Sequence, residues 1–139
     1  MSAYDPTNIF ARMLRDEIPS HRVFENAAAL VVLDRFPQSR GHTLIIPKVP
    51  SRNLLDADPE TLKAVLPLVQ RVARAVIAVT GADGLRLAQF NEAAAGQTVF
   101  HLQFHLIPVY LGADVARHGG GEADDAALVG LARDIAARL

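Results

Sequence analysis

Gly96 to Pro108, GQTVFHLQFHLIP, is the stretch on which the reading of this chain turns. In an extended strand, successive side chains point to opposite faces. His101, Gln103 and His105 then share one face, and Leu102, Phe104 and Leu106 share the other. One face is an apolar ridge fit for a core. The opposite face is a row of three nitrogen-bearing polar groups. The Gly96-Gln97-Thr98 turn ahead of that row can present backbone N–H groups to an anion.

Three chemistries compete for the row. A chelated metal fits poorly. His101 and His105 are four residues apart, roughly 13 Å along a strand at about 3.3 Å per residue. Ligand distances near a metal are only about 2 Å. Gln103 is a weak ligand, and the stretch holds no carboxylate. An anion site is the second candidate, because imidazole N–H, amide, the Thr98 hydroxyl and loop N–H groups can together surround a phosphate. The third is a half-exposed strand whose histidines have no chemical role.

Composition limits the class of protein. The 139 residues suit one domain with a real core. A hydrophobic fraction of 50% and a net charge of −1 exclude a disordered chain and give no bulk attraction to nucleic acid or an anionic membrane. There is no cysteine, hence no disulfide framework and no thiolate metal site. The N-terminal residues turn charged too early for a signal peptide. The longest apolar candidate, near residues 62–79, is interrupted by Lys63, Gln70, Arg71 and Arg74 and does not read as a membrane span. A soluble cytoplasmic protein is the expectation.

Working outward from the central stretch, Leu85 to Phe90 reads as a strand ended by Asn91, and residues 92–96 as a small-residue loop. Asp58-Pro59-Glu60 is a helix start, with an N-cap acid and Pro at the first helical position. Leu62, Val65, Leu66, Val69, Val72, Ala73 and Val76 continue a long helix to Thr80-Gly81, where Gly caps it. Pro67 inside it should bend it or remove one hydrogen bond. Upstream, His42 to Pro47 and Ala29 to Leu33 read as strands, with a shorter one over His21 to Glu25. Thr7 or Asn8 caps a short helix bearing Ile9, Phe10, Met13 and Leu14, which Pro19 follows. After Pro108 a glycine-rich excursion leads to a helical pattern over Asp124 to Leu139. This order implies an α+β domain with a mostly antiparallel sheet.

GQTVFHLQFHLIP resembles the signature of the histidine triad (HIT) family, in which three histidines alternate with apolar residues behind a Gly-Gln-x-Val. Residues 8–26 resemble the family's opening, with Ile9-Phe10 and Glu17-Ile18-Pro19 in register. Residues 29–48 resemble its second block, with Asp34 and Gly41-His42-Thr43 in place. Asn91 precedes the Gly-Gln as in the family. The likeness covers about residues 8–108, leaving 109–139 as a C-terminal extension of a single HIT-like domain over 1–139. It implies a HIT-like α+β fold: a five-stranded, mostly antiparallel sheet with a long helix, a short N-terminal helix and a C-terminal helix.

The resemblance also implies a function. Similar proteins are homodimers that bind purine nucleotides and hydrolyse or transfer at the α-phosphorus of phosphoramidates, adenylates or dinucleoside polyphosphates, with no cofactor. Asp34 matches the acid that holds the ribose hydroxyls. Ile9, Phe10, Ile18 and Val32 match the cleft around the base. Asn91, Gln97 and Thr98 match polar groups near the phosphate and leaving group. His42, His101 and His105 match histidines that orient and polarise the site. In the family a histidine attacks phosphorus and water cleaves the nucleotidyl-histidine.

The chain departs from that pattern at three places. Gln103 stands where the family has its nucleophilic middle histidine, and a primary amide neither attacks phosphorus well nor relays a proton near neutral pH. Three readings stay open: an active hydrolase altered to trap its ligand, a natural nucleotide binder without turnover, or an enzyme using another route, such as direct attack by water. Val109 stands where bacterial relatives often carry Arg, a loss that Arg117 or His118 would make good. Asn8 and Ala11 stand where some relatives place a Cys-x-x-Cys, so that structural zinc is not expected; no other metal is implied.

Overall fold

A computed structural model describes residues 3–117 and 121–139. The helices are α1 (Ile9–Leu14), α2 (Pro59–Thr80) and α3 (Asp125–Ala136). The strands are β1 (His21–Glu25), β2 (Ala29–Leu33), β3 (Thr43–Pro47), β4 (Gly84–Ala88) and β5 (Phe104–Val109). They form one antiparallel sheet in the order β1-β2-β3-β5-β4. The α+β architecture read from the sequence is the one observed.

Alternation along the strands sorts the sheet into two faces. Ala29, Val31, Leu33, Ile45, Phe104 and Leu106 enter the main core, together with Val65, Val69, Val72 and Val76 of α2 and Leu128, Leu131 and Ile135 of α3. Leu30, Val32, Leu44 and Ile46 point the other way and pack with Phe10 of α1 in a second cluster. With both faces covered, β2 and β3 are buried throughout, and Thr43 is their one polar residue. Directly opposed residues of an antiparallel pair share a face. Val32 opposes Leu44, and Leu44 opposes His105. His105 therefore lies on the α1 side, at the end of an apolar row.

The central stretch shows how far simple alternation holds. Hydrogen-bonded pairing begins only at Phe104; residues 97–103 are irregular, not part of a strand starting at Gly96. The Gln97 side chain bonds backbone carbonyls at Arg52 and Val99, and Leu102 N donates to Ser51 O, so these groups serve the preceding loop instead of a strand neighbour. The facing nonetheless persists, because Leu102, Phe104 and Leu106 all enter the main core.

The helix ends follow local chemistry. Asn8, the second of the two expected caps, accepts from Ala11 N. Asp58 accepts from Glu60 N, and Gly81 closes α2 at φ +68°. Helix α2 runs unbroken through Pro67, which is exposed. Asp124 caps α3, which packs against β1, β2 and α2.

Candidate functional site

The site is built around the loop joining β2 to β3. Asp34 follows β2, and its carboxylate accepts from Phe36 N at 2.8 Å, the local turn that short acidic side chains favour. The loop closes through Asp34 N to His42 O at 2.9 Å. Gly41 precedes His42 at φ +94°, where a Cβ would stand 2.7 Å from Thr80 Cγ2 and 3.1 Å from Pro108. Only glycine brings the loop this close to the end of α2 without strain.

His42 is 1% exposed. Its Nδ1 accepts the Gln38 backbone N–H at 3.0 Å, so the proton of the neutral ring sits on Nε2. That Nε2 lies 3.0 Å from His105 Nδ1 and 3.5 Å from an Asp34 oxygen. His42 therefore donates to His105, and the neutral His105 carries its own proton on Nε2. One backbone amide thus sets the tautomers of two imidazoles in series.

Asp34, His42 and His105 each bring a ligand-capable atom within 4.8 Å of the others. The central stretch holds only His105 of this trio, so the cluster does not show in that stretch alone. Its donors fit a hydrogen-bonded chain better than an ion. A metal on His42 Nε2 would need the proton on Nδ1, facing the Gln38 N–H.

Two cavities meet beside this chain. The larger, about 470 Å³, is lined by apolar groups including Ile9, Phe10, Ile18, Val32 and Leu44, and by Asp34 at one side. The smaller, about 150 Å³, is lined by Gln38, Phe90 and Gly96-Gln97-Thr98. Thr98, Gln103 and His105 line both and so mark the junction. The structure thus gathers His42, His105, Gln103, Thr98, Asp34 and the four predicted apolar residues into one region. Met13, Arg35, Phe36 and Leu44 also line the larger cavity and were missed by the sequence reading. For Arg35 and Phe36 the available signal was their position directly after Asp34.

Other expected site residues have different partners. His101 lines neither cavity. It is fully buried; its Nε2 donates to Pro47 O at 2.8 Å, which leaves Nδ1 to accept from the Tyr4 hydroxyl at 2.6 Å. The first histidine of the row therefore ties the segment before α1 to the sheet. Asn91 also lines neither cavity; its amide is engaged by Gln89 and Leu54 N. Gln97 reaches the smaller cavity, but its amide bonds Glu92 N, Asn53, Arg52 O and Val99 O. It holds the loop that presents Thr98. The same loop is clamped by a two-pronged Arg52–Glu92 pair at 2.8 and 2.9 Å, which keeps the Glu92 carboxyl below its usual range while Glu92 sits at φ +76°. Arg117 is exposed and lines neither cavity, while His118 lies outside the described residues.

Burial holds the His101 pKa below its ordinary value, against a smaller opposing effect of the Pro47 hydrogen bond. Below about pH 6.5 the unfolded chain then takes up a proton that the folded chain resists. Stability should therefore be fully present above that pH and fall on acidification until the folded histidine also titrates. Melting curves between pH 7 and pH 5 should show this decline, and His101→Gln should make it shallower. An unchanged slope would assign the acid sensitivity elsewhere.

The comparisons with known proteins bear on the family and the fold. Residues 15–111 match the HIT domain model. A Hit-like protein of Bartonella henselae, described as involved in cell-cycle regulation and crystallised with an unknown ligand, is 48% identical. It superposes with a TM-score of 0.95 over 99% of this chain and 100% of that one. The adenylylsulfatase HINT3 of Arabidopsis thaliana is 37% identical over 100 residues, 72% of this chain; the match spans only about half, 51%, of that relative's length. The adenosine 5'-monophosphoramidase hnt1 of Schizosaccharomyces pombe is 35% identical over 72% of each chain. With its sheet and its sequence in agreement, the chain belongs to the HIT family.

Proposed function

We propose that this protein binds the nucleoside monophosphate part of a purine nucleotide and hydrolyses or transfers at its α-phosphorus. The substrate classes are a nucleoside phosphoramidate, an adenylate or a dinucleoside polyphosphate. The observation that carries this is the junction: an apolar cavity edged by Asp34 ends at Thr98, Gln103 and His105. In this reading the base lies against Ile9, Phe10, Ile18 and Val32, and Asp34 receives the ribose hydroxyls. The phosphate meets the N–H and O–H donors at the junction, where fixed donors stabilise charge on a transferring group. His101, Asn91 and Gln97 act from behind, by holding the segments that form the walls. A cytoplasmic location is part of this proposal.

A second reading is favoured by one residue. Gln103 has no nucleophilic lone pair of useful basicity, so the protein can be a nucleotide-binding or interaction module without covalent turnover. Titration with AMP, followed by turnover of adenosine phosphoramidate, separates the two.

Asp34→Asn keeps an acceptor for Phe36 N and removes the charge. Hydrogen bonds to charged groups are worth about 1.5–3 kcal/mol. AMP affinity by calorimetry should therefore fall at least about tenfold, and unchanged affinity would remove Asp34 from the ribose site.

We further propose a homodimer built on β4. This strand is at the edge of the sheet, and Leu87 on it is 56% exposed, with Leu66 of α2 also exposed. An open apolar edge strand is a ready template for pairing with a second copy. Sedimentation should give a dimer mass that Leu87→Lys shifts to the monomer; a monomeric native protein would refute the arrangement.

A further inference from the structure

Gln103 is 9% exposed, and its amide makes no hydrogen bond with any of the described residues. It lines both cavities at the place where they meet. The amide is not among the side-chain atoms sealed from solvent without a partner, so it faces the open space of the two cavities. An amide in this position has its partners in the ligand and its water. It offers an acceptor and a two-proton donor about one bond angle apart. Those two ends can hold a water molecule and a phosphoryl oxygen at once.

We propose that Gln103 is a catalytic residue that orients a water for direct, in-line attack on the α-phosphorus, without a covalent enzyme intermediate. The inference rests on the nucleotide reading of the site and deepens it. Gln103 Oε1 accepts from the water, and Nε2 donates to a nonbridging phosphoryl oxygen. A glutamine that orients attacking water is a known device in phosphoryl transfer. Thr98 and His105 add donors to the same group. The smaller cavity, at about 150 Å³, has room for a few waters at roughly 30 Å³ each.

The step balances as a single displacement. The water oxygen forms a bond to phosphorus on the Gln103 side. The P–N bond of a phosphoramidate breaks on the far side, and its electron pair stays on nitrogen. One water proton ends on that nitrogen, carried by a phosphoryl oxygen, because an amide is not basic enough to accept it. The products are the nucleoside monophosphate and the free amine. No oxidant, metal or co-reactant enters.

The test is stereochemical. One diastereomer of an adenosine phosphorothioamidate is turned over by the full-length protein in 18O water, and the configuration of the product phosphorothioate is read. Inversion, with no nucleotidyl mass on the acid-quenched protein, is expected. Gln103→His should switch the outcome to retention with a trappable adduct. Gln103→Met, similar in shape but unable to hydrogen-bond in the same way, should lower kcat by about 10²-fold and weaken AMP binding by roughly tenfold, because the donor to the phosphoryl oxygen is lost as well. Retention or an adduct in the native protein overturns the proposal, as does a Gln103→Met rate equal to the native one. So does a native protein that binds AMP and never turns over the probe, since the pocket is then a binding module. Failure to bind AMP at all would instead bring down the nucleotide reading beneath it.

Discussion

A chain ending at Tyr110 is expected to lose cooperative folding. The HIT domain match stops at residue 111, yet α3 beyond it supplies Leu128, Leu131, Ala132 and Ile135 to the main core. Burying a Leu or Ile side chain is worth about 1.5–3 kcal/mol. The three large ones together contribute about 5–9 kcal/mol, comparable with the whole stability of a domain, about 5–15 kcal/mol. Their removal also uncovers the parts of β1, β2 and α2 against which α3 packs. The truncated protein should bind a hydrophobic dye and unfold over a broad urea range, with far-ultraviolet circular dichroism partly kept. A sharp transition near the native midpoint would show that α3 is an appendage, against its placement here.

Gly41→Ala is expected to destabilise the protein by about 3 kcal/mol. A left-handed backbone costs a side-chain residue about 1–2 kcal/mol. The added Cβ also meets Thr80 Cγ2 at 2.7 Å, and overpacking of this kind costs about 1–3 kcal/mol. At this chain length the melting temperature should fall by roughly 10 °C. The two causes can be separated. Thr80→Ser removes the offending methyl and keeps the hydroxyl that bonds Val76 O. In the Gly41→Ala background it should restore part of the loss, whereas Gly112→Ala, with φ +79° but open space, should show the backbone cost alone. Equal losses at the two glycines would mean the close approach to α2 contributes nothing. Nucleotide affinity should fall with Gly41→Ala as well, because Gly41 sets where His42 stands.

How much of this was legible depended on whether the determining pattern was local. Period-two facing is local, so the placement of Leu102, Phe104 and Leu106 against His105 and Gln103 could be read directly. The ends of α2 could be read for the same reason, since Asp58 and Gly81 act within one turn. The pairing of His42 with His105 was not legible from spacing, because 63 residues separate them and only the register of β3 against β5 joins them. Resemblance supplied that link where spacing could not. The partners of His101, Asn91 and Gln97 were hidden for another reason. An imidazole or amide serves a ligand or a backbone carbonyl equally well, and residue type does not say which. Tyr4 and the Arg52–Glu92 clamp gave no local signal, since each acts on a segment far along the chain.

The loop carrying Asp34 is also laced to the C-terminal segment. Ala116 N donates to Gln38 O at 2.7 Å, the Gln38 amide returns a bond to Ala116 O at 3.1 Å, and Ala123 N donates to Arg35 O. Gln38 is thus fastened through its carbonyl and side chain while its N–H is held by an imidazole. That one amide proton becomes a built-in reporter. Its nuclear magnetic resonance frequency senses the lone pair of His42, and its exchange with solvent senses the seating of the C-terminal segment. A single labelled position would follow both the readiness of the histidine chain and the integrity of the extension, with no probe attached to the site.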